Sequence, residues 1–164
     1  MAFQATVNRN NTYGIQGDLA NGQVPHYYPL TPRVAASDSI NAGAFAWVSV
    51  SGETVSAASH AAGAPTGIVQ RVLDEDNTNI MSDSSMTYGA GHKVDVITWG
   101  DVFVKTTDSA TVGNVLFANN TTGAITNAAA GTSVSGATET KWKIVSLAGN
   151  AAAATGSVVI VSNI

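Results

Sequence analysis

No cysteine occurs in the 164 residues. That excludes disulfides, thiol nucleophiles and cysteine-ligated metals, and it leaves packing or partner subunits to stabilise the chain. Charge is also scarce: seven basic and eleven acidic residues make up 11% of the sequence and leave a net charge of −4. The few Lys and Arg are spread out rather than clustered, which speaks against nucleic acid as a partner, because phosphate neutralisation needs a basic patch. No apolar run approaches the ~20 residues of a membrane-spanning helix, so no membrane is expected. The opening MAFQATVNRNN lacks a basic stretch followed by an apolar one. The expectation is a chain made in soluble form in the cytoplasm.

What is present is small and apolar or small and polar. Hydrophobic residues reach 45%, much of it Ala, with Gly, Ser, Thr and Asn filling most of the rest. The length suits one domain with a real core, or a modest domain plus an arm. Residues 100–125, GDVFVKTTDSATVGNVLFANNTTGAI, read as strand, turn, strand, turn, strand. Val102 and Val104 alternate with Asp101, Phe103 and Lys105, the period of a half-buried strand. Val115 to Ala118 is the next apolar run. Asn119, Asn120, Thr121, Thr122 and Gly123 then reverse the chain, since Asn and Gly tolerate positive φ.

Other segments repeat the pattern. Phe45 and Trp47 fall on one face of a strand, Ala46, Val48 and Val50 on the other. Residues 67–73 and 94–98 are further strands, and Gly100 either bends the second of these or turns it back. Residues 128–138 form a small-residue loop. In residues 141–147 Trp142 and Ile144 point inward while Lys141 and Lys143 point out. Residues 157–162 are apolar on both faces, which calls for a central or covered strand. About eight short strands with Gly and Asn turns predict a mainly-β fold, a small antiparallel β-barrel or sandwich. This domain spans residues 34–164.

Residues 1–33 differ. They hold three of the four prolines, Pro25, Pro29 and Pro32, and three of the four tyrosines, Tyr13, Tyr27 and Tyr28. Proline removes a backbone donor and restricts its predecessor, so an extended, irregular N-terminal arm is predicted. It either folds against its own domain, docks on a neighbouring subunit through aromatic anchors, or stays disordered.

A search for chemistry yields little. His26, His60 and His92 are far apart with no metal-ligand spacing. Asp74, Asp76 and Thr78 start like a calcium loop, but Asn79 replaces the turn Gly and Ser85 the final Glu. Residues 74–85 therefore read as a long exposed polar loop. Gly131 to Ser135 fails as a nucleophile elbow, and Gly89 to Lys93 as a phosphate loop. Trp47, Trp99 and Trp142 each sit in a β-run and read as core; a sugar-stacking face is the competing reading. No enzyme, metal or cofactor is expected.

Several segments, in order, carry a resemblance: MAFQATVNRNNTYGIQGDLA, GAFAWVS, GAPTGIVQR, GDVFVKT, VGNVLFANNTTGAI, and WKIVS followed by ATGSVVIVSNI. Together they resemble the structural cement, or decoration, proteins of tailed bacteriophage capsids, over nearly the whole chain. The resemblance implies a non-enzymatic protein on the outer surface of the virion head. It would bind the major capsid protein and bridge adjacent capsomers, stabilising the mature shell. Self-association into a dimer or trimer would place equivalent surfaces over lattice axes. Phe3, Tyr13, Tyr27, Tyr28 and Arg33 of the arm, with Asp74 and Asp76 of the polar loop, are the candidate capsid or subunit contacts. The alternative from another class is a carbohydrate-binding β-module for host adhesion, which requires solvent-exposed tryptophans. A small hydrolase with an assembled Ser/His/Asp site is a further rival.

Overall fold

Alternating small and large apolar residues give strands buried on both faces, and these stack the chain into layers. The structure, a computed structural model, describes residues 14–20, 24–58, 63–72, 87–149 and 154–163. Among them the chain forms strands and no helix. The first eight strands are β1 (His26–Tyr27), β2 (Arg33–Val34), β3 (Ile40–Asn41), β4 (Phe45–Val48), β5 (Thr54–Ser56), β6 (Gly67–Val69), β7 (Thr87–Tyr88) and β8 (Val96–Trp99). The last five are β9 (Asp101–Lys105), β10 (Val115–Asn119), β11 (Ile125–Ala128), β12 (Ala137–Ser146) and β13 (Val158–Asn163).

A six-stranded sheet runs β1-β8-β6-β4-β5-β2, and a five-stranded sheet runs β11-β10-β12-β13-β9. Pairing is antiparallel apart from β2 with β5. β3 pairs with β7 in a separate small sheet. No sheet closes into a barrel, so the barrel form of the expectation gives way to the sandwich. Just past β9, Thr106 forms an isolated bridge with Ile125 of β11, and Thr107 N–H donates to the Ile125 carbonyl at 2.9 Å.

The main core lies between the two large sheets. Phe45, Trp47, Ile68 and Ile97 from the first meet Val102, Val104, Leu116, Ile125, Trp142, Ile144, Val159 and Val161 from the second. The opposite face of the first sheet is covered too. Ala46, Val55, Val69 and Val96 pack with Val34, Ile40, Ala42, Tyr88 and Val94. β4 thus feeds both cores, with Phe45 and Trp47 on one side and Ala46 and Val48 on the other, as its alternation predicts. Val50 lies past the strand end and faces solvent instead.

β13 sits between β12 and β9. Its Val159 and Val161 enter the main core, while Val158 and Ile160 pack with Ala20, Phe103 and Ala148. The central, covered strand expected there is present. Gly100, at φ 131°, bends the chain rather than reversing it: β8 lies in one sheet and β9, directly after it, in the other. Only glycine tolerates that conformation readily, and Pro25 packs against it.

Several boundaries differ from the sequence reading. Among the described residues a strand already forms at His26, ahead of residue 34, because β8 supplies a partner for β1. β6 ends at Val69; the next residues bond irregularly, Gln70 N–H to the Asp95 carbonyl and Val72 N–H to the Tyr88 hydroxyl. β12 starts at Ala137, earlier than expected, where Thr138 reaches Asn120 Oδ1 at 2.7 Å and pairs with Ala118.

Candidate functional site

Residues 14–20 lie along β9, on the free edge of the five-stranded sheet. Gly17 N–H donates to Phe103 O at 2.7 Å, Phe103 N–H to Asp18 O at 2.9 Å, and Ala20 N–H to Asp101 O at 2.8 Å. The same segment reaches the other sheet's side of the molecule. Arg71 N–H donates to Gly17 O at 2.9 Å, and the Arg71 guanidinium grips Asp18 with two bonds, 2.6 and 2.9 Å. That carboxylate hydrogen bond holds the Arg71 pKa above its ordinary value, against the opposing effect of partial burial. Residues 24–34 are likewise tied in, through β1 on β8, Tyr28 N–H on Val96 O, and Arg33 N–H on Glu53 O.

Of the candidate contact residues, Tyr27, Tyr28 and Arg33 are among those described; Phe3, Tyr13, Asp74 and Asp76 lie outside the described residues, as do His60 and the polar loop. Tyr27 is 41% exposed. Burial raises its phenol pKa, Asp95 raises it further, and a hydrogen bond with Gln70 opposes both. Arg33 is exposed and donates to the Gly91 carbonyl at 3.1 Å. Tyr28 is half-buried and leans with Leu30 on Gly52 in the turn after β4.

Leu30, 53% exposed, and Tyr28 thus lie at the turn that carries the fully exposed Val50 two residues before Gly52. An apolar residue leading a turn is the signal that betrays this spot: VSVSGE places Val50 where a polar residue is ordinary. The sequence reading missed both Leu30 and Val50 as surface candidates.

The tryptophans separate. Trp47 and Trp142 are 7% and 3% exposed and belong to the main core, with Trp47 Nε1 donating to Gly63 O at 3.0 Å. They offer no stacking face for a sugar. Trp99 is half-buried and its ring lies 4.9 Å from that of exposed His26, tilted 49°. His92 accepts a hydrogen bond at Nδ1 from Gly89 N–H. No group of three or more His, Asp and Glu side chains positioned for a metal occurs among the described residues.

Two grooves remain. One, of about 310 Å³, opens between residues 41–44, 105–107, 124–125 and 155–156 and carries one charged residue, Lys105. The other, of about 580 Å³, is lined by Gly14, Asp18, Leu19, Phe103, Ile160 and Ala148. Neither brings together side chains suited to bond making or breaking.

With the geometry in hand, three comparisons place the chain. No curated protein matches it. A solved structure, the capsid of Myoviridae phage XM1, contains a chain with the same fold. The TM-score is 0.63 at 15% identity, over 99% of this chain and 98% of that one. The family model for the XM1 gp53 minor capsid protein matches residues 3–163. The chain therefore belongs to the XM1 gp53 minor capsid protein family, a family of phage capsid-associated structural proteins.

Proposed function

We propose that this protein is a capsid cement protein that binds the outer surface of the phage head and bridges capsomers of the major capsid protein. The observation that carries the reading is the family match over residues 3–163. A two-sheet sandwich suits such a role, because side chains packed between its sheets hold the surface that presents the contacts. A protein that binds only the assembled lattice stabilises it by mass action. If each copy touches several shell subunits, individual contacts can be weak, since linkage raises effective concentration. Assembly as a dimer or trimer would add further contacts.

The contact residues proposed are Phe3, Tyr13, Tyr27, Tyr28, Arg33, Asp74 and Asp76, joined by Leu30 and Val50. Leu30 and Val50 are exposed apolar residues, and Tyr28 and Leu30 meet at Gly52 in the turn that follows Val50; apolar and aromatic side chains are favoured at the centre of binding patches. Tyr27 and Tyr28 add aromatic area at low entropic cost.

The test is reconstitution. Heads lacking the protein are mixed with purified chain and imaged by electron cryomicroscopy. The expected result is density on the outer surface at junctions between capsomers. Density inside the shell, or none on heads and on purified virions, would overturn the proposal.

A further inference from the structure

We infer that residues 14–20 form a releasable strap over the free edge of β9, held shut by the Asp18–Arg71 ion pair. This inference does not depend on the function proposed above. The strap touches β9 through three backbone hydrogen bonds, whereas β13 pairs with β9 along its whole length, from Val158 opposite Lys105 to Ser162 opposite Asp101. A groove of about 580 Å³ opens beside the strap, lined by Gly14, Asp18 and Leu19 together with Phe103, Ile160 and Ala148, and Gly14 sits directly against the Phe103 ring. Leu19 packs against the main core, and Ala20 joins a small cluster with Phe103 and Ala148.

Gln16 and Gly17 lie close against Ala42 and Gly43, and a charged restraint is added at Arg71. Its guanidinium holds Asp18 in a bidentate pair, with side-chain exposures of 18% and 31%, and its N–H holds Gly17. A short segment held to a sheet edge by three backbone hydrogen bonds and a solvent-accessible ion pair is the kind that opens locally, well below the cost of global unfolding. Opening it would bare the Phe103 N–H and the Phe103 and Asp101 carbonyls. Such an unpaired row is a template for another extended chain.

The register supplies a direct readout. Phe103 N–H faces the strap, so by alternation the N–H groups of Val102 and Val104 face β13. Native-state hydrogen exchange on the full chain, resolved by NMR, therefore reports two openings from neighbouring amides of one strand. Phe103 is expected to exchange at least about tenfold faster than Val102 and Val104, since strap opening is local. In 1 M sodium chloride, where the screening length falls to about 3 Å, the Phe103 rate should rise several-fold relative to Val104. Arg71→Gln should raise it about five- to tenfold, in line with loss of a bidentate charged pair. Arg71→Lys should fall between, because it keeps the charge and loses the fork. The inference is overturned if Phe103 and Val104 exchange together in every condition, or if the Phe103 rate does not rise relative to Val104 in 1 M sodium chloride. The salt series uses the unmodified chain, so it decides the matter even where a variant fails to fold.

Discussion

A methyl group added at Gly123 would run into the Phe45 carbonyl oxygen and crowd that of Ala57 at 3.3 Å, on a backbone at φ +66°. The Gly123 carbonyl also accepts from Phe45 N–H at 2.9 Å, so this turn of the second sheet is seated on β4 of the first. Gly123→Ala is expected to lose about 1–3 kcal/mol, from strain and from the displaced seat, measured by chemical denaturation. Thr126 illustrates the opposite sign. Its Oγ1 is buried without a partner among the described residues, and Thr126→Val removes the unsatisfied hydroxyl at nearly constant shape. A gain of up to about 1 kcal/mol is expected; a loss would show that the hydroxyl is satisfied after all. Tyr27 gives a pH signature. Its folded-state pKa lies above the ordinary phenol value, so its contribution is present below about pH 10 and is lost as pH rises through the shifted value. Tyr27→Phe should therefore flatten the alkaline limb of a thermal-stability profile. At this scale much was legible in the sequence: the inward Trp142 and Ile144 and the outward Lys141 and Lys143 follow from alternation alone. Leu30 and Val50 were not, because exposure at a strand end depends on what another segment covers.

The β10–β11 hairpin is the element most clearly written in the chain. Asn119 Oδ1 accepts from the N–H groups of Thr121 and Thr122 at 2.9 and 3.0 Å, and Gly123 closes the turn onto Asn119 O. These are the local bonds that Asn and Gly in a short loop predict. Asn119→Ala should cost about 0.5–1.5 kcal/mol by removing a turn acceptor, seen as a lower unfolding midpoint with an unchanged denaturant slope. A second anchor holds residues 106–109 to β11. Asp108 accepts from Asn127 N–H and Nδ2, and Asn127 Oδ1 accepts from Asn114. Elements formed by distant partners were less legible. The two-residue strands β1, β2, β3 and β7 carry no periodic signal, and they exist because β8, β5 and each other offer edges. Gly100 left a bend and a reversal equally open, since the answer depends on which sheet receives Asp101.

For the whole molecule, the family was readable from ordered fragments of small residues, and a mainly-β sandwich from strand spacing. The surfaces that would meet a shell were not, because contact residues need only exposure and shape, and neither has a sequence period. The proposed arm frames a truncation experiment. Residues 14–20 and 24–33 hydrogen-bond into both sheets, so removing everything through Arg33 would strip β1 and the Asp18–Arg71 pair. Deleting residues 1–13 is the cleaner cut. The shortened chain is expected to keep its β circular-dichroism spectrum and to lose at least about tenfold in affinity for heads, as when one arm of a multivalent contact is removed. Unchanged affinity in a co-sedimentation assay would reject the arm as a contact.

β8 and β9 are a single run of polypeptide that changes layer at one residue. A force dragging one face of the sandwich past the other is therefore carried along covalent bonds at Gly100, in addition to the side chains meshed between the faces. Delamination would have to tear hydrogen-bonded neighbours from both halves of that run. A body wired through its own middle in this way behaves under lateral stress as a solid plate, the mechanical property a shell under internal pressure would draw on.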